Sequence, residues 1–200
     1  MTSVASLRAE AAACTRCPLY ARATQTVFGE GATGGLMLVG EQPGDVEDRE
    51  GRPFVGPAGT LLRELLDEAG ISVEDVYLTN AVKHFKWRRS GKRRIHDKPN
   101  AAEVRACGHW LSLELVAVAP ELVVCLGATA AQALFGRSAR VGALRGRPHS
   151  VASGLAALVT LHPSAVLRAR DDRAERRAEL LEDLGLAARL LATGVPALRS

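Results

Sequence analysis

The 200-residue chain is 47% hydrophobic with a net charge of +4, which suits one soluble domain built on a single sizeable core. No apolar run approaches the length that spans a bilayer, and the first fourteen residues, MTSVASLRAEAAAC, lack a secretory apolar segment, so a cytoplasmic location is expected. The charge is uneven: residues 83–98 carry eight basic side chains against the single acid Asp97, a local +7 that leaves −3 for the rest. A mildly acidic body with one basic segment points to a local polyanion contact, nucleic acid first.

Residues 3–13 read as a short helix with Ser3 as its N-cap and Leu7 as its apolar anchor, and they deliver Cys14 and Cys17. Leu36-Met37-Leu38-Val39 is a short buried strand, followed at residues 40–59 by a loop rich in Gly, Pro and carboxylates, GEQPGDVEDREGRPFVGPAG. A helix over 58–69 stops at Gly70, and a second strand over 76–79 places Asn80 at its carboxyl end. The basic segment then reads as an extended loop with a turn at Ser90-Gly91. A helix over 101–118 brings Cys107 inward and ends ahead of Pro120; residues 122–126 form a fully apolar strand, as a sheet covered on both faces requires. Gly127 opens a helix to about Phe135, residues 157–161 form a fourth strand ending at His162-Pro163-Ser164, and the last helix runs from about 172 to 191.

Strands alternating with helices predict an α/β fold: a single-domain αβα sandwich around a central, mostly parallel four-stranded sheet, spanning residues 1–195 with a frayed tail at 196–200. Right-handed crossovers put the strand ends on one edge of the sheet. Glu41-Gln42, Asn80 and His162 then share one cleft.

The four cysteines, Cys14, Cys17, Cys107 and Cys125, are not expected to form structural disulfides in a cytosolic chain. Cys14-Thr15-Arg16-Cys17 has the spacing with which two thiolates grip one metal or cluster, and two single cysteines complete four ligands. Spacing does not separate zinc from iron–sulfur.

GEQPG followed by ED, the strand end TNAVK, HPSAVLR at 162–168 and the four cysteines together resemble the iron–sulfur uracil-DNA glycosylases over almost the whole chain. The resemblance implies the uracil-DNA glycosylase fold and a [4Fe–4S] cluster on Cys14, Cys17, Cys107 and Cys125. It also implies a base extruded into a pocket and read there. Asn80 suits uracil because one amide offers a donor for O4 and an acceptor for N3–H. Phe54 would stack on the flipped base, His162 would hydrogen-bond uracil O2, and Gln42 and Asp45 would line the uracil site. Ser164 and Arg168 would hold DNA phosphates.

Gln42, where the usual motif carries a small residue, and the run Lys92-Arg93-Arg94-Ile95-His96 resemble a narrower group, the UdgX-type proteins. In that group the loop histidine attacks the sugar C1′ left by uracil and stays attached. The implied roles are His96 as nucleophile, Glu41 as the carboxylate that serves it, and Lys92, Arg93 and Arg94 as DNA contacts. The implied partner is uracil-containing DNA, single-stranded by preference, acted on by a monomer. Two other readings stand beside this one: an ordinary turnover uracil-DNA glycosylase, and a non-catalytic DNA-binding iron–sulfur protein.

Overall fold

A computed structural model of the chain describes residues 3–151 and 154–195. The elements follow in chain order as α1 (Val4–Ala11), β1 (Glu30–Gly31), β2 (Leu36–Gly40), α2 (Asp45–Glu50), α3 (Pro57–Glu68), β3 (Val76–Asn80), β4 (Trp87–Ser90) and β5 (Arg93–His96). They continue with α4 (Ala101–Val118), β6 (Leu122–Leu126), α5 (Ala128–Phe135), α6 (Val141–Leu144), β7 (His149–Ser150), β8 (Ala156–Thr160), α7 (Pro163–Arg168) and α8 (Arg173–Thr193). No helix among the described residues is long and apolar enough to cross a membrane.

The main sheet has six strands in the order β1-β3-β2-β6-β8-β7. The four expected strands are its parallel centre; two-residue antiparallel strands, β1 on β3 and β7 on β8, were not foreseen and make the sheet mixed. Such short edges carry no run of apolar residues, and they leave little open ladder for another chain to pair with. All five residues of each central strand are buried, because helices cover both faces. Alternation along β2 splits the core: Leu36 and Leu38 pack with α3, α7 and α8, whereas Met37 and Val39 face Leu111 of α4 and Ala130 of α5.

Register brings the strand ends level. Gly40 lies opposite Asn80 between β2 and β3, and Leu126 opposite Thr160 between β6 and β8. Two further expectations are revised. The acidic stretch 40–59 contains a helix, α2, capped at Gly51 in the left-handed region (φ 74°), and the basic loop is a hairpin, β4–β5, turning at Gly91 (φ 59°). The expected frayed tail, 196–200, lies outside the described residues; α8 runs to Thr193.

Candidate active site

The cleft begins where β2 ends. A Cβ on Gly40 would come within 2.3 Å of Asn80 Oδ1 and 2.7 Å of Phe54 Cζ, so only glycine lets the amide and the ring approach this closely. Phe54 has a left-handed backbone (φ 55°), which costs an aromatic residue roughly 1–2 kcal/mol. Gly59 absorbs that turn, since a Cβ there would sit 1.8 Å from the Phe54 carbonyl oxygen. Glu47 braces the loop by accepting from the Gly44 and Gly56 amides at 3.1 and 3.0 Å. The Phe54 ring lies stacked on His162, with centroids 6.2 Å apart. Asn80 is 3% exposed, yet its side-chain amide makes no hydrogen bond among the described residues.

His162 is the N-cap of α7. Its Nδ1 accepts from the Ser164 amide at 3.1 Å and lies 2.8 Å from Ser164 Oγ. A backbone N–H can only donate, so the proton of the neutral ring sits on Nε2. Burial pushes its pKa down to about 4, with Arg168 and His96 adding to that and Glu41 opposing it. The ring is therefore a neutral N–H donor at neutral pH. Gly127 makes room for it, since a Cβ there would lie 3.0 Å from His162 Cβ. The Ser164 hydroxyl, expected on a phosphate, is engaged in orienting His162; Arg168 is exposed at the end of α7.

Glu41 follows directly. Its Oε2 accepts from the Thr129 hydroxyl at the start of α5, and its Oε1 lies 3.3 Å from His96 Nε2. Burial works to raise its pKa, but the contacts with His96 and Thr129 outweigh it and hold the carboxyl below its usual range. His96 itself is half exposed at the end of β5, with its ring 6.3 Å from that of Phe85.

What keeps His96 there is a pair of braces that the sequence reading had given other work. Gln42, expected at the uracil, is buried with its amide fully committed: Nε2 donates to the Lys86 and Asp97 carbonyls at 3.1 Å each, and Oε1 accepts from Lys86 N at 3.0 Å. It clamps the base of the hairpin. Asp45, also expected at the uracil, and Arg94, expected on DNA, pair with each other instead. Arg94 further donates to Asp48 at 2.6 Å and lies over the rings of Phe85 and Trp87. Asp48 is wholly buried and also accepts from Thr24 N and Oγ1. The other hairpin cations, Lys92 and Arg93 among them, are exposed.

A second site lies behind the cleft. Cys14 and Cys17, which follow α1, and Cys107 of α4 are buried near one another, with the Cys107 thiol within reach of Cys17. Trp110 Nε1 donates to Cys14 Sγ at 3.1 Å and the Lys83 amide to Cys107 Sγ at 3.5 Å. Cys125 does not join them. It sits in β6 between Val39 and Val159, and burial alone, with no charged neighbour or second thiol, pushes its pKa up to about 12. The inward pattern of an apolar strand gave it a place in the sheet core, and that outweighs its chemistry. The residue that sequence reading missed is His84, 3% exposed, one position beyond the amide on Cys107. Its Nε2 pairs with Thr26 Oγ1 at 2.9 Å, and its Nδ1 is buried without a hydrogen-bond partner among the described residues. The signal was there: a histidine four residues beyond Asn80, between Val82 and Phe85 in the run AVKHF.

A family model described as the Uracil DNA glycosylase superfamily matches residues 28–185. The chain is 42% identical over 173 residues to a type-4 uracil-DNA glycosylase of Thermotoga maritima, covering 86% of this chain and 85% of that protein. It is 39% identical over 181 residues to a type-4 uracil-DNA glycosylase of Pyrobaculum aerophilum, covering 86% and 87%. A type-5 uracil-DNA glycosylase of the same organism is 31% identical over 145 residues, covering 64% and 61%.

Proposed function

The chain belongs to the uracil DNA glycosylase superfamily, and from that premise we propose that it excises uracil from DNA and then bonds to the sugar it has exposed. The observation that carries the second half is His96 Nε2 at 3.3 Å from Glu41 Oε1, beside the cleft of Asn80, Phe54 and His162. Asn80 donates to uracil O4 and accepts from N3–H, the reverse of what cytosine presents. Phe54 offers its ring to the flipped base, a contact worth about 1–3 kcal/mol in other base–aromatic pairs. As the C1′–N1 bond breaks, its electron pair leaves with uracil, and His162 Nε2–H stabilises the charge gathering on O2.

The sugar left behind is an oxocarbenium-like electrophile. A ring nitrogen of His96 held beside it competes with water through effective concentration and forms the new C1′–N bond. The N–H of the other ring nitrogen donates to Glu41, whose carboxylate is held ionised and is braced by Thr129; it orients the ring and stabilises its charge, and the proton is lost to solvent once the bond has formed. Nothing in this arrangement protonates the bound imidazole as a leaving group, so the adduct persists and the protein turns over once.

The same reading includes a [4Fe–4S] cluster with a structural role. Its ligands are Cys14, Cys17 and Cys107, and the N–H groups of Trp110 and Lys83 on two of the sulfurs suit thiolates that carry charge. The fourth donor is His84 Nδ1 in place of Cys125, with Thr26 on Nε2 fixing the tautomer. The site is assigned to the cytoplasm and to a monomer, with Lys92, Arg93 and Arg168 meeting phosphates and single-stranded DNA preferred because the base is already unpaired.

The type-4 relatives favour a second reading, hydrolytic turnover, in which Glu41 positions water. A denaturing gel separates the two. Incubated with uracil-containing single-stranded DNA, the wild type gives a heat- and SDS-stable species of higher mass, absent with uracil-free DNA; His96→Ser abolishes it and releases abasic DNA instead. Multiple turnovers by the wild type with no such species would leave the hydrolytic reading standing.

A further inference from the structure

A groove of ≈ 640 Å³ runs between α4 and α5, lined by none of the cleft residues. At one end it reaches the buried Thr129, whose hydroxyl donates to Glu41, and Lys98, two residues beyond His96. Its rim carries the exposed cations Lys98, Arg105 and Arg137, none of them ion-paired among the described residues, and no Asp or Glu lines it. Its floor is aliphatic, with Leu111 and Leu134. Unpaired cations above an aliphatic floor, ending next to a site that handles a nucleotide, match a polynucleotide strand: phosphates on the rim, sugars and base edges against the floor. An acidic peptide is the other polyanion of that shape, but it would have no reason to lead into Glu41.

We propose that this groove is the track for the DNA strand on one side of the flipped nucleotide. The proposal rests on the uracil-excision reading and adds what that reading lacks, a path for the flanking strand separate from the hairpin. Because the groove approaches the cleft at its Thr129–Lys98 end alone, only one flank reaches it. It therefore predicts polarity: lengthening the substrate 5′ or 3′ of uracil strengthens binding on that side alone.

The test uses three single-stranded oligonucleotides: uracil with two nucleotides on each side, the same extended only 5′, and the same extended only 3′. Affinity is measured by anisotropy across a salt series for wild type and for Arg105→Gln/Arg137→Gln, both exposed positions. The wild type binds one extended substrate more tightly than the short one. The double variant loses that gain, its salt slope on that substrate falls by about 1.4 for two lost phosphate contacts, and it binds the short substrate as the wild type does. An unchanged gain and slope in the variant, as an acidic-peptide groove would give, overturns the proposal, as does an equal loss on the short substrate. Uracil-free versions of the same strands read the groove independently: a flank effect there with no uracil excision anywhere sinks the excision reading and leaves the groove.

Discussion

His162 shows how one residue's surroundings set both its chemistry and its contribution to stability. Its pKa lies near 4 in the folded chain against an ordinary 6.5, because burial disfavours the imidazolium and Nδ1 is held by the Ser164 amide. As pH falls the unfolded chain takes up its proton first. The stability tied to the neutral ring is therefore full above about pH 6.5 and drains away toward pH 4, a loss of about 2–3 kcal/mol. Urea titrations at pH 7 and pH 4.5 should show that loss in the wild type and a smaller one in His162→Gln; equal losses in both would contradict the assignment. The sequence placed His162 at a strand end, which was enough to make it a candidate. It could not tell that Ser164 would fix the tautomer, because that depends on the first turn of α7 bending the serine back.

At the scale of elements, the hairpin β4–β5 and its supports decide where His96 stands. Residues 83–98 read as a uniformly basic loop, and the fold divides those cations by burial. Lys83 is fully buried on Glu114, Lys86 pairs with Glu103 at 3.1 Å, and Arg94 is spent on Asp45 and Asp48, so the surface charge of the hairpin is smaller than its composition. Lys83 also donates to Thr79 Oγ1 and, at 2.8 Å, to the Asn80 carbonyl, tying the end of β3 to α4. Removing the ammonium alone leaves Glu114 buried without its counter-charge. Lys83→Met should lower stability by about 3–5 kcal/mol, and adding Glu114→Gln should recover most of it, as thermal melts of the single and double variants would show. Recovery failing in the double variant would mean that packing, not charge, accounts for the loss. Composition hid this division because buried and solvated lysines look alike in a sequence. The parallel strands, by contrast, were legible as four apolar runs, three of them with polar residues at their ends; the two-residue edge strands were too short to show any pattern, and the hairpin was hidden by its charge.

For the whole molecule, the sheet edge gathers the cleft and the segment 80–84 links it to the cysteines. Asn80 and His84 stand at the two ends of that link, so loss of a cluster there should loosen the cleft. Iron and sulfide analysis on aerobically stable protein tests the ligands: Cys125→Ser should retain the iron of the wild type, and His84→Ala should lose most of it. The opposite pattern would restore the four-cysteine set that spacing first implied. Cysteine count sees four thiols but not which sheet face each one occupies, and Cys125 lies in the apolar core with Met37 and Val39.

The central claim is a bond between His96 and the sugar, and mass spectrometry of the product measures it most directly. Protein reacted with a short uracil-containing strand should gain the mass of that strand less uracil, and after digestion the added sugar should map to the peptide containing His96. An unchanged protein mass alongside free uracil, or an adduct on any other residue, would contradict it.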